Sequence, residues 1–508
     1  MGHSSRRKRA ADPLFEIRLD LEPAGSRDSS RTLHRELTRA ILDGRLTAGT
    51  KLPATRLSIV FFGVSRNTAT AVYERLVTEG YAETRRGAGT YVASRAEPSR
   101  STADSASAQE PLRQRLNSFW LRPDVAAAMS FWRDAPEGAS LPRRGSTVDF
   151  RPAMVDSRLF PMDVFRRVSV KQLRGLERRP ASYKSAQGNQ GNYHLRSAIV
   201  KHIAITRAVA CQPEDILVTS GAQQGFDLLA RALVTPGETV VALEDPGYPP
   251  MRVAFAAAGA RLVPVGIDAE GLIIEQLPAD VGVICVAPSH QFPLGVTMSM
   301  RRRAALIEFA RAHGAILIED DYDGEFRYEG SPLPALRTDR AADVVFYVGT
   351  FSKCMLPALR LGFIVAPRWA IGTVTAAKNC MDWHCSTPVQ SAVAAFIAEG
   401  HLTRHVAKMR AIYRQRRLLL LNTLQDKLND WLEPIPSFYG MHVAAVARAP
   451  VDLEAVAGAL AQQQIKLHTL SRYFIGTQTR TGLIFGYGTV DLPEIRRGLS
   501  MLARRLHG

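Results

Sequence analysis

Cysteine is scarce in this chain, five residues in 508, and Cys211, Cys285, Cys354, Cys380 and Cys385 form no paired framework. That excludes a disulfide-stapled secreted fold and fits a reduced cytoplasm. Cys380 and Cys385 stand in a C-x4-C stretch without a second pair, which suits plain packing and leaves no metal site expected. No apolar run is long enough to span a bilayer, and neither a signal peptide nor an internal repeat is visible, so membrane insertion and secretion are not expected. Acidic residues fall short of basic ones, 48 against 65, for a net charge of +17 and a pI near 10.0. Such an excess suits a polyanionic partner, although charge alone fits a membrane surface as well as a nucleic acid.

A hydrophobic content of 46% and a charged content of 22% allow a small domain beside a large one with a full core. Residues 1–95 hold 17 basic and 10 acidic side chains, so the amino-terminal part is denser in positive charge. Within an arm over residues 1–30, Arg6-Arg7-Lys8-Arg9 reads as disordered chain or as a phosphate contact. A domain over residues 31–94 precedes a linker over 95–148, rich in Ser, Ala and Arg as far as Gln109 and loose through Pro142-Arg143-Arg144-Gly145. Its aromatics, Phe119-Trp120 and Phe131-Trp132, are expected to dock on the large domain. Over residues 149–508, β-rich runs alternate with amphipathic helices such as 301–313, which predicts a mostly parallel α/β sheet. A smaller α+β subdomain is expected from about residue 385.

Residues 31–43 put Leu33, Leu37, Ala40 and Ile41 on one helical face and stop at Gly44. Residues 55–62 fit a second short helix ended by Gly63, although Leu57-Ser58-Ile59-Val60-Phe61-Phe62 has the β-branched and aromatic content of a strand. Ser65 then caps a third helix whose apolar face is Ala69, Val72, Tyr73, Leu76 and Val77. Three short helices around a tight glycine turn predict a helix-turn-helix. The third helix opens with Ser65, Arg66, Asn67, Thr68 and Thr70, residue types that meet phosphates and base edges, at an end of partial positive charge. Residues 81–93 read as a hairpin with Arg85, Arg86, Gly87 and Gly89 at its tip, a wing for the minor groove or the backbone. A small helical bundle with a polar face would share part of this pattern. The wording LPATR…GVSRNTATAVYERLVTEGYAETRRGAGTYVA, however, closely resembles the GntR-type winged helix over residues 31–94, and implies that Arg56 also meets DNA.

The stretch GTFSKCMLPALRLG, residues 349–362, follows a β-rich run and places Lys353 in a Ser/Thr-lined turn with Arg360 seven residues on. A lysine so placed suits an aldimine with pyridoxal phosphate (PLP), whose phosphate takes hydroxyls and a guanidinium; a surface lysine is the plainer alternative. Other segments meet further demands of that cofactor. Ile216-Leu217-Val218-Thr219-Ser220 leads into Gly221-Ala222-Gln223-Gln224, a strand-to-helix turn that offers backbone donors to an anion, or an ordinary cap. Tyr248, in Glu244-Asp245-Pro246-Gly247-Tyr248-Pro249, can stack on a ring or pack in a loop. Asp320, one of the acids that follow the apolar run 315–318, can hold a pyridine nitrogen protonated, and Tyr322 can donate to the ring's phenolic oxygen.

Together these ordered motifs resemble the fold-type I aminotransferases over roughly residues 150–508, and in particular the aminotransferase-like domain of the MocR/GabR/PdxR family of bacterial regulators. The resemblance implies Lys353 as the Schiff-base lysine, Asp320 on the pyridine nitrogen, Tyr248 stacked on the ring and Tyr322 at its phenolic oxygen. Around the phosphate it implies Ala222, Gln223, Thr350, Ser352 and Arg360. Two departures stand out. Phe292 precedes Pro293-Leu294-Gly295 where aminotransferases commonly carry asparagine, so that His290 or Gln291 is the candidate substitute. Gly482 stands where an arginine for the substrate carboxylate is usual, leaving Arg472 and Arg480 nearby. The expected protein is a cytoplasmic, homodimeric transcription regulator that binds paired operator half-sites and senses PLP, an amine or an amino acid. An active aminotransferase with a DNA-binding appendage is the alternative, and a regulator that has lost its cofactor is a third.

Overall fold

The computed structural model describes residues 29–94, 115–129, 147–178, 188–330 and 333–507. The basic arm, most of the linker, Phe131-Trp132 and Pro142-Arg143-Arg144-Gly145 lie outside them. The chain divides into two compact units, Met1–Leu116 and Asn117–Gly508.

In the first unit, the helix Ser29–Leu42 ends at a turn where Gly44 takes φ +74°, a conformation that costs glycine little. A 3-10 turn Thr55–Leu57 runs into the helix Ser58–Phe62, so the second helix forms despite its strand-like composition. Packing of Phe62 into the small core beside the helix Arg66–Thr78 outweighs a propensity difference of only a few tenths of a kcal/mol per residue. Leu33, Leu37, Ala40, Ala69, Val72, Tyr73 and Leu76 fill that core. Val77, expected on the same stripe, is instead exposed at its edge. The hairpin pairs β1 (Ala82–Arg85) with β2 (Gly89–Val92), Arg85 opposite Gly89.

The second unit is built on an eight-stranded sheet. Its strands are β4 (Ile216–Thr219), β5 (Val240–Asp245), β6 (Arg261–Asp268), β7 (Gly271–Leu272), β8 (Val281–Val286), β9 (Ile316–Asp321), β10 (Val345–Thr350) and β11 (Gly362–Val365). They lie in the order β4-β11-β10-β9-β8-β5-β6-β7. β10, β9, β8, β5 and β6 run parallel, while β11 is antiparallel to both its neighbours and β7 to β6. Buried apolar runs on the central strands reflect helices on both faces. β3 (Val148–Asp149) pairs with β14 (Ile465–Lys466), tying the start of this unit to its carboxyl end. β12 (Leu432–Pro434), β13 (His442–Ala447), β16 (Gly482–Gly486) and β15 (His468–Thr469) form a second sheet in that order, alongside the 28-residue helix His401–Leu428. The five cysteines are unpaired: Cys380 is exposed, and Cys385 is buried with its sulfur 3.4 Å from Ser220 Oγ. Among the described residues no helix is long and apolar enough to cross a membrane.

Candidate cofactor cleft and nucleic-acid interface

In an open α/β sheet, ligands bind beyond the carboxyl ends of the strands, and there the chemistry-bearing residues of the second unit converge. β10 delivers Lys353 through a short turn, and its Nζ donates to the Ala153 carbonyl at 2.6 Å. Burial, assisted by Arg360 and opposed by Asp323 and Asp320, lowers the Lys353 pKa to about 8. The neutral amine, which is the nucleophile, is therefore present as about a tenth of the total at pH 7, far more than for an ordinary lysine.

Three acids end β9, and their surroundings tell them apart. Glu319 accepts from the backbone N–H of Leu336 and Arg337. Asp321 is held by Arg207 Nε and the Tyr347 hydroxyl, each at 2.5 Å. Asp320 Oδ1 is buried without a hydrogen-bond partner among the described residues. Burial, reinforced by Asp321 and Asp323, raises the Asp320 pKa to about 8. A buried acceptor without a donor costs about 1–3 kcal/mol, so this oxygen fits the N–H of a bound pyridinium.

Next to it is an anion seat. Thr350 lies opposite Gly362, and Gly362 opposite Thr219, so the ends of β10, β11 and β4 meet. Gly221, at φ +85°, caps the helix Ala222–Leu233, and Arg360 Nη2 donates to the Ser220 carbonyl at 3.0 Å. That positive φ strains any residue with a Cβ, and a Cβ there would also displace the guanidinium, whose nearest nitrogen would lie 2.8 Å away. Thr350 Oγ1 donates to Ser352 Oγ at 3.0 Å, and Gln223 Nε2 to the Pro250 carbonyl at 2.9 Å. Ala222, Gln223, Thr350, Ser352 and Arg360 thus share one corner, a donor set that suits a phosphate dianion.

Tyr248 caps the helix Pro249–Ala257 and lines the cleft with Glu244, Phe292, Asp320 and Tyr473. Its ring meets Phe292 edge-on at 5.7 Å. Tyr322 is buried, and its hydroxyl lies 2.8 Å from His290 Nδ1. Of the two proposed substitutes for asparagine, Gln291 braces the turn by donating to the Pro246 carbonyl, and His290 reaches Tyr322. Arg472 and Arg480 are exposed, and Arg480 points to the Ile267 carbonyl rather than into the cleft. The arginine that does line the cleft is Arg252. It lies one turn beyond Tyr248, which caps the same helix, and its Nη1 donates to the Phe474 carbonyl at 3.4 Å.

On the first unit, Ser65 Oγ accepts from the Thr68 N–H at 3.1 Å and lies 2.8 Å from its hydroxyl, so both side chains serve the helix cap. Arg56, Arg66 and Asn67 are exposed, and Thr70 is half-buried. At the wing, Gly87 takes φ +71° and Arg86 is exposed, whereas Arg85 pairs with Glu83 at 2.6 Å and lies over the Tyr91 ring. Lys51, which the sequence pattern did not single out, is exposed beside the same ring, 5.7 Å from its centre.

Known proteins repeat both halves. Residues 29–92 match the family of bacterial regulatory proteins of the gntR type, and residues 163–477 match aminotransferase class I and II. The probable rhizopine catabolism regulatory protein MocR of Rhizobium meliloti is 33% identical over 93% of this chain and 92% of its own length. The pyridoxine biosynthesis transcriptional regulator PdxR of Corynebacterium glutamicum is 31% identical over 95% of this chain and 97% of its own. The solved kynurenine aminotransferase of Pyrococcus horikoshii shares the fold, with a TM-score of 0.67 at 22% identity over 80% of this chain and 98% of its own. This architecture defines a class: DNA-binding regulators that carry an aminotransferase-like domain. The chain belongs to the MocR/GabR/PdxR family of GntR-type transcription regulators, and is a PLP-dependent member of it.

The depressed amine makes a prediction. The rate at which cofactor-free protein develops PLP colour should climb with a midpoint near pH 8 and level off from roughly one pH unit above it, because Lys353 is half deprotonated at its pKa. Stopped-flow absorbance across roughly pH 6 to 10, a range that brackets the shift, reads this; a climb centred near the ordinary lysine value would contradict it.

Proposed function

We propose that PLP is held at Lys353 and that the state of this site, set by PLP itself or by a small amine or amino acid, governs how the first unit grips its operator. In this reading Asp320 pairs with the pyridine nitrogen, Tyr248 stacks on the ring and Tyr322 donates to its phenolic oxygen. Ala222, Gln223, Thr350, Ser352 and Arg360 hold the phosphate. The bound cofactor supplies an aldehyde-derived carbon that a primary amine can attack in place of Lys353. Supporting this reading is one observation above all: a depressed lysine amine and a carboxylate oxygen without a donor occur in the same buried cleft. We place a ligand carboxylate at Arg252 in preference to the exposed Arg472 and Arg480.

Arg252 is also the observation that favours a second reading, a working aminotransferase with a DNA-binding appendage, since a guanidinium there can hold a substrate acid. Rapid multiple turnover with amino donors and keto acids would favour the enzyme. For the regulator, a two-fold homodimer in the cytoplasm presents one reading helix per protomer to paired half-sites.

A route from cleft to linker is available within the second unit. The linker helix Pro123–Met129 packs Val125 and Ala128 against Val253 of the helix that Tyr248 caps. Only a ligand that favours one arrangement of these contacts can shift DNA binding.

DNA titrations by fluorescence anisotropy, on the upstream region of its own gene with and without PLP and amines, test the reading. Arg66→Ala and Arg86→Ala should keep the cofactor colour, weaken binding, and lower the salt slope by about 0.9 for each phosphate that is no longer neutralised; unchanged affinity would remove these residues from the interface. Val125→Asp should leave colour and basal affinity in place and erase the ligand-dependent change. A ligand response that persists in this variant would exclude the linker route.

A further inference from the structure

Behind Tyr322 is a polar cluster that the proposed function does not use. His290, Asp323 and His442 are 2%, 1% and 0% exposed, and they converge from the turn after β8, the turn after β9 and the start of β13. His290 Nδ1 lies 3.0 and 3.2 Å from the two Asp323 oxygens and 2.8 Å from the Tyr322 oxygen. The His442 ring stands 4.6 Å from that of His290, and its Nε2 donates to the Pro293 carbonyl at 2.9 Å. Glycine is required beside them: at Gly440, φ +85°, a Cβ would fall 1.9 Å from His290 Cε1. Ligand-type atoms of these three residues lie within 4.8 Å of one another, yet His290 Nδ1 and His442 Nε2 are already taken up by Asp323, Tyr322 and Pro293. Hydrogen bonding, not a cation, accounts for the arrangement.

The proton on His290 can be located by counting partners. His290 Nε2 has none among the described residues. A buried N–H without an acceptor is rarer and costlier than a buried lone pair without a donor, so the proton belongs on Nδ1, facing Asp323. Burial keeps both imidazoles neutral, with pKa values of about 3, so each ring has one donor and one acceptor. With Nδ1 carrying the ring's one hydrogen, the Asp323 carboxyl and the Tyr322 oxygen share it as a three-centre bond, and the phenolic proton is left to point elsewhere.

We propose, on the reading of the cleft given above, that Asp323 and His290 are positioning residues for Tyr322. Asp323 fixes the Nδ1–H tautomer of His290, and that N–H holds the Tyr322 oxygen so that its own proton is aimed at the cofactor's phenolic oxygen. If Nδ1 were bare, Tyr322 would donate to His290 and have no proton left for the cofactor. The other titratable or charged groups bearing on this chain are Asp320, Glu244 and Tyr487 on Tyr322, Arg417 on His290, Lys353 on His442, and His442, Asp321, Glu325 and Lys353 on Asp323, whose carboxyl burial pushes well up while leaving its carbonyl oxygen an acceptor.

A donor at the phenolic oxygen draws off negative charge that would otherwise retain a proton at the Lys353 nitrogen. Its loss therefore raises the pH midpoint of the cofactor's visible absorption. In full-length, PLP-loaded protein, Tyr322→Phe and His290→Leu should each raise this midpoint by about one pH unit. The double variant should move no further than Tyr322→Phe alone, and His290→Asn, which keeps a side-chain N–H, should restore the original value. An unmoved midpoint in His290→Leu, or additive shifts in the double variant, would overturn the proposal while leaving the cofactor reading intact. Absence of any PLP band in the unmodified protein would instead defeat that reading itself. If His290→Leu does not fold, nitrogen-15 NMR of labelled histidines in the unmodified protein decides: Nδ1 protonation supports the proposal and Nε2 protonation overturns it. One tightly held metal ion per chain, detected by elemental analysis, would overturn it too.

Discussion

The second unit depends on gathering ionisable groups where water is excluded. Glu319, Asp320, Asp321 and Asp323 stand together at the end of β9, and Lys353 faces them from the end of β10. Buried charge is tolerated only when paired, neutralised or hydrogen-bonded, and all three conditions are met among these acids. Arg207 pairs with Asp321, backbone N–H groups serve Glu319, His290 serves Asp323, and Asp320 is held neutral by burial. An acid kept neutral only by burial ionises when a cationic N–H is set against it, which suits a protonated heterocycle, and an amine depressed beside it is suited to an aldehyde. Cofactor affinity and reactivity are then two consequences of one desolvated pocket.

The sheet topology makes the gathering possible. Parallel strands bring β8, β9 and β10 to one edge with the same polarity, so residues far apart in sequence arrive together without long loops. The 3-10 turn Pro357–Leu359 ahead of the antiparallel β11 ends at Arg360, which reaches the Ser220 carbonyl just before the Ala222–Leu233 helix. The helix Pro249–Ala257 is capped by Tyr248 and packs Val253 against the helix Pro123–Met129, so a side chain of the cleft and the linker meet on one helix.

Much of this was legible because local signals coincide with function. Ser65 caps its helix as its side-chain chemistry requires, and Lys353 follows a buried strand into a hydroxyl-lined turn. Asp320 could be separated from its neighbours by the two-residue period of a strand, which turns Glu319 and Asp321 to one face and Asp320 to the other. The helix Ser58–Phe62 and the exposed Val77 show the limit of local patterns, since packing sets both. The hydrogen-bonded group formed by His290, Asp323 and His442 spans about 150 positions of sequence, and the β3–β14 pair spans over 300, separations about which periodicity carries no information. Arg252 was missed for a different reason: a single arginine in an apolar helix start reads as a snorkelling surface residue until the cleft beside it is known.

The central claim is that one lysine amine carries the cofactor. Borohydride reduction of the PLP-saturated chain, followed by proteolysis and mass spectrometry, tests it most directly. The account predicts a phosphopyridoxyl group on the peptide containing Lys353 and on no other; a saturated protein whose Lys353 peptide emerges unmodified would contradict it.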